Sequence, residues 1–241
     1  MREPTTGSTA ALHKEDSLLQ WLRTLPRIIL LAPFMLFLAC ACGLVPGGTG
    51  GAAPPPSGSL SVSFIDVGQG DAVLVQAGGE NYLIDAGRAE EGPNVVDFLR
   101  SRGVESLDGI VVSNPDADHI GGFLDVFDAF EVATVYVSGD PKATLTYNTF
   151  LRGVRDEGSK VEVVRAGRRL EWGGVRADVI APPPGELFTE TNDNSVAILL
   201  TYGTARMLLA GDAEAREEEY MANGPYTGPL TVLKVPKLHT L

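Results

Sequence analysis

Ser113-Asn114-Pro115-Asp116-Ala117-Asp118-His119-Ile120-Gly121-Gly122 gathers the ligand-type side chains Asp116, Asp118 and His119 within a single short turn. Residues 109–112 before it, Gly-Ile-Val-Val, form an apolar, β-branched run that reads as a buried strand. After it, Ile120, Phe123, Leu124 and Phe127 recur at helical spacing, which predicts one helix running to about residue 129. The cluster therefore lies between a strand end and a helix start. Open α/β sheets present ligands there, outside the carboxyl ends of their strands. Carboxylates with one imidazole suit a divalent cation, and the imidazole favours zinc, manganese or iron over calcium.

Working outward, composition narrows the choices. The chain has 241 residues, 44% of them hydrophobic, enough for one sizeable core. Its formal net charge is -12. Residues 1–42 carry four basic and three acidic side chains, so the remainder stands at -13. Such a surface repels polyanions in bulk, and any nucleic-acid contact must be local or bridged by metal. Only Cys40 and Cys42 are present, which excludes a disulfide framework and a cysteine metal site in the folded part.

Residues 28–41, IILLAPFMLFLACA, are almost wholly apolar and follow a polar stretch ending in Arg23 and Arg27. This run is short for a membrane span, which needs ~20 residues, and fits the core of a secretion signal. The small residues before Cys40 and Cys42 resemble a bacterial lipoprotein box. Residues 1–42 are thus a signal or lipoprotein-type segment, with Cys40 or Cys42 lipidated, or else an uncleaved signal anchor. Residues 43–59, GLVPGGTGGAAPPPSGS, carry no charge and read as a flexible Gly/Pro/Ser tether. Residues 60–241 remain as the folded domain, held at a membrane surface and outside the cytoplasm.

Within it, strands are expected at 61–65, 72–75, 82–84, 134–137, 161–164, 170–172, 175–180, 196–201 and 207–210, with a buried strand at 231–235. Helices are expected at 94–102, closed by Gly103, around 145–154, closed by Gly158, and at 213–221. Gly68 and Gly70 sit in a hairpin turn, since no helix follows to make a phosphate loop. Trp172 reads as hairpin packing, and Glu217-Glu218-Glu219 as a solvated helix face. The second half repeats the order of the first up to its last strand. If the halves are equivalent, a closing segment of roughly 40 residues is lacking.

Five features fall in order: Asp66-Val67-Gly68-Gln69-Gly70-Asp71-Ala72, Leu83-Ile84-Asp85-Ala86-Gly87, the 114–122 loop, Asn194-Ser195, and Leu209-Ala210-Gly211-Asp212. Together they resemble the metallo-β-lactamase superfamily, and within it the hydrolase domain of ComEC-type competence proteins. The resemblance implies a four-layer αββα sandwich, here incomplete at the C-terminus, with a metal site at the rim between two sheets. It makes Asp116, Asp118, His119 and Asp212 metal ligands, with Asn114 a weak one. Asp118, Asp85 and Asp66 take catalytic or bracing roles, and Asn194 and Ser195 match the motif that replaces a superfamily histidine.

Two departures bear on the metal. That branch opens its metal loop with histidine where this chain has Asn114, a weak and neutral ligand. It also carries His-His-Gly-Ser after the last strand, where this chain has Lys237-Leu238-His239-Thr240. His239 is out of register, and Lys237 puts a positive charge where a ligand belongs. Divalent metal, zinc or manganese, is therefore expected at reduced occupancy. The activity implied is metal-assisted hydrolysis of a phosphodiester, with DNA outside the membrane as the expected substrate. Two alternatives stand beside it: a degenerate lipoprotein that keeps the fold for binding, and a hydrolase of a small lactam or thioester. The sequence points to no protein partner.

Overall fold

The computed structural model describes residues 58–226 and 228–235. The expectations for the signal segment, for most of the tether, and for Cys40, Cys42, Lys237 and His239 lie outside the described residues. The first sheet holds six strands in sequence order: β1 (Leu60–Phe64), β2 (Val73–Ala77), β3 (Glu80–Ile84), β4 (Gly109–Val111), β5 (Thr134–Val137) and β6 (Lys160–Val163). β1, β2 and β3 are antiparallel hairpin neighbours, whereas β3 to β6 run parallel. Parallel neighbours need crossovers, and helices supply them. These are α1 (Gly92–Ser101), then α2 (Ala117–Ile120) with α3 (Phe123–Ala129), and then α4 (Leu145–Glu157). The second sheet contains β7 (Arg169–Trp172), β8 (Val175–Ala181), β9 (Ala197–Tyr202), β10 (Ala205–Leu209) and β11 (Val232–Lys234), with α5 (Ala215–Ala222) between β10 and β11.

Apolar runs on the central strands bury both faces, giving three cores between four layers. Leu74, Leu83 and Ile110 face Val95, Leu99, Phe123 and Phe150 of the helices. Their neighbours Val73, Val75, Tyr82, Ile84 and Val111 turn the other way, onto Val175, Ala177, Val179, Ile198 and Leu200 of the second sheet. Ala197 and Leu199 then pack outward, with Met221 of α5 against them. The order of layers is helices, sheet, sheet, helix: the αββα sandwich.

Three details differ from the sequence expectation. The helix after the acidic turn is two pieces, α2 and α3, broken at Gly121-Gly122. A Cβ on Gly122 would lie 2.1 Å from the Ala86 carbonyl oxygen, so this close approach, invisible to periodicity, fixes the break. β11 is not buried: Val232 and Leu233 are 37% and 50% exposed, because β11 is an edge strand paired only with β10 among the described residues. Trp172 does more than pack its own hairpin, since it stacks on Tyr82 of the opposite sheet at 4.3 Å and 12°.

Trp172 is 1% exposed, and its indole N–H has no acceptor among the described residues. Area and stacking therefore hold the two sheets together here, not a hydrogen bond. Trp172→Ala is expected to cost about 3–5 kcal/mol in urea unfolding, and Trp172→Phe much less.

Candidate metal centre

The loops that leave the strand ends are laced together by backbone hydrogen bonds. Gly87 N–H donates to the Asp71 carbonyl at 2.8 Å, Ala86 N–H to His119 at 2.8 Å, and Asp71 N–H to Asp118 at 3.3 Å. Gly70, at φ 110, passes so close that a Cβ would lie 1.9 Å from the Asp118 carbonyl oxygen. Only glycine fits, which explains the glycine turn between β1 and β2.

Asp85 follows β3 directly and adopts φ 58, the left-handed region that aspartate tolerates better than most residues. The turn drives its carboxylate inward, where it is 0% exposed. Oδ1 accepts from Ser113 N–H at 2.8 Å, and Oδ2 accepts from the Ser113 hydroxyl and lies 2.9 Å from His119 Nδ1. His119, on α2, is also fully buried. Its other nitrogen, Nε2, lies 3.0 Å from Asp212 Oδ2 yet off the line a hydrogen bond needs. Asp212 leaves the end of β10, so the Asp85–His119–Asp212 line ties the first sheet to the second.

Burial opposes the imidazolium, but the Asp85 and Asp212 carboxylates outweigh it and push the His119 pKa up to about 10. Burial also works against ionised Asp212, and the close approach and charge of His119 bring its pKa below the ordinary carboxylate value. Asp71 goes the other way: burial and the Asp85 charge raise it, only partly offset by Lys234 and His119.

These donors fit a divalent cation. Ligand atoms of Asp71, Asp85 and His119 lie within 4.8 Å of one another. With Nδ1 held by a carboxylate, Nε2 is the nitrogen left for a metal, the usual arrangement of a metal-bound histidine. Nε2 lies 3.0 Å from the Asp212 carboxylate, close enough for both to reach one ion. His119 and Asp212 would hold it.

The remaining residues singled out in the sequence have other partners, although the Asp118 charge acts on Asp212. Asp118 is half-buried on the rim, with Oδ2 3.4 Å from Gln69 Nε2. Asp116 occupies the N-cap position of α2 without capping it through its side chain, which is ion-paired to Lys142 instead. Asn114, 0% exposed, bonds Asn192 Oδ1 at 2.8 Å and accepts from Asp116 N–H at 3.0 Å. Asp66 is exposed, and its carboxylate accepts from Gly68 N–H at 3.1 Å within its own loop. Asn194 is fully engaged: its amide donates to Asp140 and to two backbone carbonyls and accepts from Phe188 N–H. Ser195 Oγ donates to the Asn192 carbonyl at 2.9 Å. Asn194 and Ser195 thus tie their own loop together through these hydrogen bonds.

Sequence reasoning gave no role to Lys234, whose ammonium pairs with Asp71 and donates to the Gly211 carbonyl at 3.0 Å. A lysine inside the apolar run 230–235 was the available signal. A cavity of about 170 Å³ at this mouth is lined by Gly68, Gln69, Gly70, Asp71, Asp212, Lys234 and Val235.

The family model described as Metallo-beta-lactamase superfamily matches residues 65–239. Recombination protein 2 of Haemophilus influenzae is 28% identical over 179 residues, covering 72% of this chain and 21% of that protein. Competence protein ComA of Neisseria gonorrhoeae is 30% identical over 176 residues, covering 73% and 23%. The chain thus spans about a fifth of the length of these relatives. Among solved structures, the metallo-beta-lactamase fold protein YhfI of Bacillus subtilis aligns with a TM-score of 0.47 at 18% identity, over 66% of this chain and 65% of that one.

Glu217 corrects the reading of its acidic run. It is 0% exposed, not solvated: Oε2 accepts from Ser195 N–H at 3.1 Å while its own N–H meets Asp193 Oδ1 at 3.3 Å. This reciprocal pair resembles a capping box whose cap comes from a distant loop. Burial, reinforced by the Asp193 charge and opposed by the Ser195 hydrogen bond, pushes the Glu217 pKa from 4.5 up to about 9. The folded state therefore keeps a proton that the unfolded chain releases. The stability this contributes is full below pH 4.5 and lost as the pH rises to about 9. Glu217→Gln keeps the acceptor and cannot ionise, so its urea-unfolding stability should depend less on pH across that window. Parallel profiles for the two proteins would contradict the assignment.

Proposed function

The chain belongs to the metallo-beta-lactamase superfamily, and from that premise we propose that it is an extracytoplasmic, metal-dependent phosphodiesterase of the ComEC type that acts on DNA. The observation that carries the reading is His119, with Nδ1 2.9 Å from Asp85 and Nε2 3.0 Å from Asp212. Zinc or manganese bound there would supply a Lewis acid and a water whose pKa falls towards ~7.

The residues of the chain do the rest. Asp85 fixes the imidazole, so its orientation survives the loss of the proton that metal binding displaces. Asp212 contributes the anionic donor. Asp118, on the rim and open to solvent, orients the attacking water. Asp66 and Gly70 shape the loop beside it. The relatives are named for recombination and competence, processes of DNA, which supports a nucleic-acid substrate. The apolar run 28–41 with Cys40 or Cys42 would hold the domain on a membrane surface through a lipid or a signal anchor. The acidic balance leaves DNA only local contacts at the site.

A second reading, a fold retained for binding alone, is favoured by one observation: Asp116 and Asp71 are each paired with a lysine. The two readings differ in turnover. The full chain supplied with manganese or zinc should cleave single-stranded DNA, and chelation should stop it. His119→Ala should abolish cleavage, and Asp85→Asn should reduce it by about 10–100-fold. A folded, metal-loaded protein with no phosphodiester cleavage would refute the proposal.

A further inference from the structure

Two lysines from different parts of the chain are ion-paired with carboxylates near this site. Lys234 ends β11, which runs parallel to β10 with Lys234 opposite Leu209, so it emerges beside the loop carrying Asp212. Its side chain is only 15% exposed, and its ammonium is spent on Asp71 and the Gly211 carbonyl. Lys142 comes from the loop after β5, the parallel neighbour of β4, and pairs with Asp116 from a side chain 29% exposed. Lysine is seldom as buried as Lys234, and burial disfavours its charge unless an anion lies close by. Neither lysine is ion-paired to Asp212 among the described residues, although the Lys234 charge reaches that carboxylate, and His119 Nε2, 3.0 Å from Asp212 Oδ2, finds no hydrogen-bond partner there.

A carboxylate oxygen paired with an ammonium is a poor ligand for a divalent cation, because the two positive charges repel at short range. We propose that Lys142 and Lys234 are built-in cations that hold the site to a single divalent ion, bound between His119 and Asp212. The inference rests on the metal-dependent reading above and extends it by assigning Asp71 and Asp116 to lysines. Asn114 agrees with it, since a hydrogen-bonded amide stands where a second ion would need a ligand.

Metal stoichiometry tests this independently of turnover. The full chain, titrated in turn with zinc and manganese and followed by elemental analysis after gel filtration, should retain a single equivalent. The Lys142→Met/Lys234→Met double variant should gain a second equivalent, and the Lys→Arg pair should stay at one. Two equivalents in the unaltered protein, or no gain in a double variant that circular dichroism shows to be folded, would overturn the assignment. Should the double variant fail to fold, anomalous scattering from metal-soaked crystals of the unaltered protein decides. A lone peak between His119 and Asp212 supports the proposal, and a peak on Asp71 or Asp116 overturns it. No metal in any variant would overturn the hydrolase reading together with this one.

Discussion

The buried contact between Asp85 and His119 is the constraint on which the rest of the site depends. A carboxylate with no exposure and an imidazole with no exposure are costly to bury, and the arrangement survives only because each partner is engaged on both sides. Asp85 takes both the amide and the hydroxyl of Ser113, and His119 extends the line to Asp212. Because Asp85 and His119 belong to the first sheet's loops and Asp212 to the second sheet's, the line also sets how the rims of the two sheets meet. The left-handed turn at Asp85, a conformation costing on the order of 1–3 kcal/mol, is maintained by those hydrogen bonds.

Around that line the structure manages an excess of negative charge. Asp71, Asp85, Asp116 and Asp212 converge on one rim of an already acidic protein. Lys234 and Lys142 answer two of them, and His119, with its pKa pushed up to about 10, answers the other two. A cation bound by Nε2 would displace that proton and take over its charge. The protonated, metal-free site and the metal-bound site are therefore two states of one charge balance. Glu217, kept neutral by burial, shows the alternative where no cation is near.

Much of the fold was legible because its signals are local. The run Val73-Leu74-Val75 buries both faces of β2, and Gly158 closes α4 in the left-handed conformation its position predicts. The acidic turn carries His119 on α2, and Asp85 and Asp212, both singled out through the resemblance, lie 2.9 and 3.0 Å from its ring nitrogens. What was not legible depends on partners far away in sequence. Lys234 meets Asp71 163 residues upstream, and Glu217 meets Ser195 22 residues upstream, so no local pattern marks either. Asp116 has the right residue type for a ligand, and its ion-pair partner, Lys142, comes from another loop. Residue type announces which chemistry is possible, and long-range pairing decides which carboxylates remain free for it.

The most direct test of the central contact is the protonation state of the His119 ring, read by long-range proton–nitrogen NMR on nitrogen-15-labelled protein before and after zinc is added at neutral pH. The structure predicts that Nδ1 keeps its proton throughout, held by Asp85, while Nε2 moves from the imidazolium position to that of a metal-bound nitrogen. Loss of the Nδ1 proton, or an Nε2 resonance that zinc leaves unmoved, would contradict it.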